Sequence, residues 1–240
     1  MELARSFNQM SRRLDRAFVM QRSFSQNAAH ELRTPLAVLK MRVGLFRKKQ
    51  DFAPQATEEF LGIVEREVDR LSDMVDSLLK LTNLEKVPRS DRIGLEELVR
   101  QVCEEIALPA ERKAAAISVK TVPCFVTGSR ELLHRALFNL VENAVKYGPD
   151  GGGIRISAAL DGADAVITVT DQGPSIPPEL RERIFEPFFR LDTARSRETG
   201  GSGLGLALVR AIAEVHGGSV QAGEDRTGRN QFLLRLPTDS

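Results

Sequence analysis

The sequence predicts an α+β fold in two parts, a long helical hairpin followed by a mixed α/β sandwich, and three observations predict it. Apolar residues recur in steps of three and four along the first third of the chain. Only two prolines (Pro35, Pro54) and two glycines (Gly44, Gly62) interrupt residues 1–86. Further on, short alternating runs bounded by glycine turns mix with helical periods. Composition agrees: the 240 residues carry 34 Lys+Arg against 33 Asp+Glu, and 42% are hydrophobic. Such a chain can bury a core, and its near-neutral balance argues against disorder and against nucleic acid as a partner. Every stretch long enough to span a bilayer contains charge, and the segment after Met1 does not read as a signal peptide. Cys103 and Cys124 lack a C-x-x-C spacing or a His neighbour, which disfavours zinc and thiol chemistry.

The elements follow in order. Leu3, Phe7, Met10 and Leu14, then Phe24, Ala28, Leu32, Leu36, Leu39, Val43 and Phe46, mark one long amphipathic helix. Asp51 to Pro54 reads as a turn. Leu61, Val64, Val68, Leu71, Val75 and Leu78 form a second seam. Two helices with one apolar stripe each leave area uncovered, so the hairpin is expected to dimerise into a four-helix bundle. Val87 to Asp91 breaks the pattern as a linker. Leu95 to Leu108 is helical, Ile117 to Val119 a short strand and Arg130 to Tyr147 helical. Ile154 to Leu160 and Ala165 to Thr170 pair around Asp161-Gly162. Leu204 to His216 is a helix stopped by Gly217-Gly218, and Ser219 to Ala222 with Gln231 to Leu236 closes the domain.

Of three histidines, His216 at a helix end and His134 inside a helix read as packing residues. His30 stands two residues from both Ala28 and Leu32, about 200° around the helix, so it faces away from the seam. Glu31 adjoins it, Thr34 lies one turn on, and Pro35 leaves the Glu31 carbonyl without its donor. A carboxylate beside an imidazole can make it a nucleophile, although a solvated surface residue fits the same position. Asn139, Asn143, Lys146 and Tyr147 share one polar helix face. It is either plain solvated surface or a place where amide oxygens hold Mg²⁺ and Lys146 meets a phosphate. Asp171-Gln172-Gly173 at a strand end is a turn or an acceptor for an adenine amine. The run Gly200 to Leu206 before a helix offers bare N–H groups to phosphate.

Taken in order, these residues resemble the sensor histidine kinases of bacterial two-component systems. Phe24 to Leu36 is similar to the phosphoacceptor box of that family, and Asn139 to Tyr147 to its asparagine box. Asp171 to Pro177 resembles the first glycine box, Phe185 to Arg190 the phenylalanine box, and Gly201 to Leu206 the second glycine box. Glu2 to Met10 is similar to the end of a HAMP module. The resemblance implies a dimerisation and phosphotransfer hairpin over residues 1–87, with residues 1–12 ending a HAMP-like linker. A linker (88–94) and a catalytic domain of the gyrase, heat-shock-chaperone and histidine-kinase ATPase type (95–240) would follow.

The implied activity is autophosphorylation on His30, with Glu31 as base, and transfer to an Asp of a response regulator. Thr34 would orient a water for phosphatase action and Arg190 would neutralise charge. ATP would be bound by Asn139, Asn143, Lys146, Tyr147, Asp171, Gly173, Gly201, Gly203, Leu204, Gly205 and Leu206, with Mg²⁺ on Asn139 and Asn143. The implied whole protein is a homodimer anchored in the inner membrane with this region cytoplasmic, the fragment itself being soluble. A regulator phosphatase, an ATP-gated conformational protein and a coiled-coil scaffold are the alternatives. Ser175 departs from the pattern, which has glycine there. If the position needs positive φ the serine is strained, and Ser175→Gly is expected to tighten ATP binding. The other reading is an ordinary loop with a local hydroxyl bond.

Overall fold

A computed structural model describes the backbone of residues 2–49, 53–191 and 202–238, with side chains from residue 25 onward, Lys49 apart. The chain divides into two units, Met1–Val75 and Asp76–Ser240. In the first, α1 (Glu2–Lys49) carries Pro35 inside it. Helix α2 (Pro54–Asn83) begins on its proline, whose absent N–H is an orphan at that position anyway. The Phe46 and Phe60 rings stack across the hairpin at 4.2 Å. The HAMP-like residues lie in α1, but their side chains fall outside the described residues, as do Asp51 and Phe52 of the expected turn.

Within α2 the apolar seam splits into two rows of heptad spacing. Leu61, Val68 and Val75 are 47%, 47% and 42% exposed, whereas Val64, Leu71 and Leu78 are half-buried. One hairpin covers one row and leaves the other bare.

The second unit is a two-layer sandwich. A short 3-10 turn (Leu84–Lys86) leads to β1 (Asp91–Gly94), α3 (Leu95–Arg112), β2 (Ala116–Thr121), β3 (Phe125–Gly128) and α4 (Arg130–Tyr147). Then come β4 (Gly153–Asp161), β5 (Asp164–Asp171), 3-10 turns at Pro178–Leu180 and Arg183–Phe185, α5 (Gly205–Val215), β6 (Ser219–Glu224) and β7 (Asn230–Pro237). The main sheet runs β2-β4-β5-β7-β6, with β2 parallel to β4 and every other pairing antiparallel. Cross-strand rows such as Ile156–Val169–Phe232–Ala222 and Ala158–Ile167–Leu234–Val220 supply one apolar face. Helix α3 covers the β2/β4 side, α4 lies against β5, and α5 lies over β6 and β7.

Helix α4 is central, and its expected stripe of Leu133, Leu137, Leu140 and Ala144 is buried. Each leucine contributes roughly 1.5–3 kcal/mol of transfer free energy. Ser129 caps the helix by accepting the Leu132 N–H.

Two differences from the sequence reading have physical causes. Asp91–Gly94, expected as linker, is a strand paired with β3, with Ile93 fully buried in the second unit. Helix α3 runs through Pro109 to Arg112 rather than stopping at Leu108. Ala110, one residue on, is buried, so the turn beyond Pro109 is packed into the core.

Candidate functional site

In the first unit, α1 presents His30 and Thr34 as exposed residues, while the neighbouring seam residues Ala28 and Leu32 are half-buried. Further along, the expected seam residues Leu36 and Val43 are themselves exposed, and Ala37, Val38 and Met41 line one surface hollow with His30 and Thr34. Glu31 is half-buried beside His30. The Thr34 hydroxyl donates to the His30 carbonyl at 3.2 Å. Pro35 follows, so this turn has both a side-chain-to-backbone bond and a missing main-chain donor. Lone pairs on the hydroxyl remain able to accept from a water.

In the second unit, the expected residues converge from three elements. Asp171 ends β5 and is 4% exposed. Its Oδ1 accepts from the Gly173 N–H at 2.6 Å and from Asn230 Nδ2 at 3.1 Å. Burial raises its carboxyl above the ordinary range, and those two donors pull it part of the way back. With Oδ1 doubly occupied, Oδ2 has no hydrogen bond among the described residues and is the oxygen left for a ligand donor.

Helix α4 supplies Asn139, Asn143, Lys146 and Tyr147. Asn139 is 7% exposed, and its amide nitrogen donates to the Arg135 carbonyl at 2.7 Å. That bond sets the amide so that Oδ1 faces Gly205, where an added Cβ would stand 2.7 Å from it. Asn143, one turn on, is half-buried and the more open of the two. Lys146 Nζ lies 5.6 Å over the Tyr147 ring. Burial raises the Tyr147 phenol, opposed by the positive charge of Arg190, so the end of the phenylalanine box comes near this helix end.

Helix α5 starts at Gly205 with no side-chain cap, unlike α4, so its first N–H groups are open. Gly203 has φ +70, and a Cβ there would meet the Phe188 backbone at 2.9 Å. The Phe188 N–H donates to the Gly203 carbonyl at 2.9 Å, and Phe188 itself has φ +66. Leu204 is buried and Leu206 half-buried. Gly201 lies outside the described residues, as do residues 192–200 before it. The phenylalanine box is anchored by Arg210 of α5, 4.8 Å over the Phe185 ring and paired with Glu182 at 2.6 Å.

Ser175 corrects an expectation. Among the described residues, Ala114 and Phe188 are the non-glycines with positive φ, and Ser175 is not one of them. Its backbone is unstrained and its hydroxyl donates to Glu224 at 2.7 Å. The basis for tighter binding in Ser175→Gly is therefore absent.

Sequence reasoning missed Asn230 and Lys113 and gave Gln172 no role of its own. Asn230 is the register partner of Asp171 across β5 and β7. Its Nδ2 also donates to the Pro174 carbonyl at 3.0 Å. Lys113 Nζ donates to the Lys146 and Gly148 carbonyls, capping α4. Gln172 accepts from the Gly153 N–H. Each contact joins residues distant in sequence, and no local signal marks it. His216, read as a packing residue, takes the Ser129 N–H on Nε2 at 3.0 Å and reaches the Ile212 carbonyl through Nδ1 at 2.7 Å.

Comparison with known proteins bears on both units. Residues 20–86 match the family described as His Kinase A (phospho-acceptor) domain. Residues 128–240 match the family described as histidine kinase-, DNA gyrase B-, and HSP90-like ATPase. The sensor protein IrlS of Burkholderia pseudomallei is 36% identical over 98% of this chain and 51% of its own length. The sensor histidine kinase CpxA of Escherichia coli is 35% identical over 97% of this chain and 50% of its own. The chain thus spans about half the length of the curated relatives it matches. Among solved structures, the histidine kinase ThkA in complex with response regulator TrrA has a TM-score of 0.73 at 27% identity, over 88% of this chain and 60% of that one. Full-length ShkA in complex with AMPPNP has a TM-score of 0.66 at 29% identity, over 90% and 46%.

Proposed function

Because this chain belongs to the sensor histidine kinases of two-component systems, we propose that it phosphorylates itself on His30 from ATP and passes the phosphoryl group to an aspartate of a response regulator. One observation carries the assignment of the phosphoacceptor. His30 is exposed beside Glu31, at a proline-interrupted turn of α1, and lines a surface hollow with Arg33 and Thr34.

The cradle in the second unit suits an adenine nucleotide. Asp171 Oδ2 accepts from the adenine amine, while Gly173 shapes the loop that carries it. Tyr147 packs beside the base, and Lys146 meets the phosphates. Gly203, Gly205 and Leu206 offer backbone N–H groups at the open start of α5, whereas the Leu204 N–H donates to Ser202 Oγ at 3.3 Å. Gly203 is required by its left-handed backbone and its packing on Phe188, and Gly205 by its close approach to Asn139 Oδ1, so both fix the start of α5. Mg²⁺ on the amide oxygens of Asn143 and Asn139, with phosphate and water oxygens, would screen phosphate charge.

A ring nitrogen of His30 attacks the γ-phosphorus as the bond to the β–γ bridging oxygen breaks, and ADP leaves with the electron pair. Glu31 takes the imidazole proton, and Arg190 stabilises charge on the phosphoryl oxygens. An aspartate oxygen of the regulator then attacks the same phosphorus, the P–N bond breaks and the imidazole recovers its proton. Thr34 holds a water for the reverse role, hydrolysis of the regulator's acyl phosphate. The ThkA–TrrA complex supports a response regulator as partner, and the AMPPNP complex of ShkA supports ATP.

The chain acts as a homodimer, supported by the bare row Leu61, Val68 and Val75, which a second hairpin would cover as a four-helix bundle. Among the described residues no helix is long and apolar enough to cross a membrane. The relatives are named as sensors, which supports a whole protein anchored in the membrane with this region on the cytoplasmic side.

Incubation with γ-labelled ATP tests the function. The label should be acid-labile and alkali-stable, absent from His30→Gln, and present in Thr34→Ala, which instead slows regulator dephosphorylation. Labelling of His30→Gln would refute the assignment.

A further inference from the structure

Strand β6 ends on Glu224 and β7 begins on Asn230, and the two are register partners. Both reach the loop that follows β5. Asn230 Nδ2 bridges Asp171 Oδ1 and the Pro174 carbonyl. Both contacts are acceptors, so the orientation of the Asn230 amide is fixed by its neighbours. Glu224 Oε1 accepts from the Ser175 hydroxyl at 2.7 Å and lies 3.0 Å from the Arg181 guanidinium. The Arg181 Nε in turn donates to the Ile176 carbonyl at 3.1 Å. The loop from Asp171 to Ile176 is thus tied to one hairpin at successive residues, and the Ser175 tie exists only because the residue there carries a hydroxyl. The carboxyl of Glu224 is held below its ordinary range, chiefly by that hydroxyl.

We propose that Ser175 and Glu224 form a positioning pair that fixes the adenine-reading loop before nucleotide arrives. A glycine at 175 offers no such anchor and leaves that loop residue to be ordered on binding. Ordering it beforehand removes that entropy cost from the association step. The serine is then a gain for this site rather than a tolerated defect. The inference rests on the proposed reading of Asp171 as the adenine acceptor.

Calorimetric titration of the whole chain with ADP and with inosine diphosphate, which lacks the amine, tests it. Ser175→Ala and Ser175→Gly should weaken ADP binding about 3- to 10-fold, with a smaller change for inosine diphosphate and an unchanged thermal midpoint. Ser175→Thr, which keeps the hydroxyl, should stay within about twofold of the parent chain. The double variant Ser175→Ala/Glu224→Ala should lose no more than Glu224→Ala alone, because either change breaks the same contact. Unchanged or tighter ADP binding in Ser175→Gly overturns the pair, as does equal weakening toward both nucleotides. Failure of the parent chain to bind ADP, or to prefer it over inosine diphosphate, overturns the adenine reading itself and the pair with it.

Discussion

Replacing Asp171 by Asn changes one oxygen of the site and separates its stability from its function. The Asp171 carboxylate is buried at the end of β5, and both donors that reach it, the Gly173 N–H and Asn230 Nδ2, fall on Oδ1. Asparagine keeps an amide oxygen there and so keeps both bonds. Its NH₂ replaces Oδ2, turning an acceptor into a donor where the adenine amine also donates. Loss of one hydrogen bond to a charged group costs about 1.5–3 kcal/mol, or roughly 10- to 150-fold in affinity. Stability should move the other way. Burial disfavours the charged form, so the folded carboxyl titrates above its unfolded value. Ionisation of Asp171 therefore subtracts stability as pH rises from the unfolded value through the raised folded one, and the neutral amide removes that loss. Calorimetric titration with ADP and scanning calorimetry at neutral pH measure the two effects. A variant that binds ADP within twofold of the parent, or melts well below it, would refute the reasoning.

Two further outcomes are expected. Light scattering should report about twice 26.6 kDa at micromolar concentration, and Val68→Glu, in the bare row of α2, should shift the chain to monomer; an unchanged mass would remove that row from the interface. The folded His216 titrates below its unfolded value, chiefly through burial, with Arg89 adding to the effect. Stability is then fully present above about pH 6.5 and falls as pH drops toward the folded value. Thermal midpoints at about pH 7.5 and pH 5.5 should show this loss, and His216→Gln should flatten it; an equal slope in the variant would assign the loss to other groups.

Residues with strong local signals were legible without coordinates. Helix α4 spans Arg130–Tyr147 as read, because Ser129 caps it and Leu133, Leu137, Leu140 and Ala144 keep a single helical period. The exposure of His30 was legible from spacing, which sets it off the side that carries Ala28 and Leu32, but the exposure of Leu36 and Val43 in the same seam was not. Strands β1 and β3 were not, because each has four residues and their pairing joins Ile93 to Val126, far apart in the chain. The end of α3 was not legible either, since the helix continues through Pro109 to Arg112 with Ala110 buried. Ser175 shows the limit of motif reasoning. The residue type raised the question of strain, but only the backbone angle and a partner nearly fifty positions away answered it.

The mutual hold between Phe188 and Gly203 bears on how this protein can vary. Each takes a left-handed conformation, and the Phe188 N–H closes on the Gly203 carbonyl. The phenylalanine box and the glycine run ahead of α5 are therefore pinned to each other through main-chain atoms, and a side chain added at Gly203 would disturb both at once. What one of the two can become is constrained by the other.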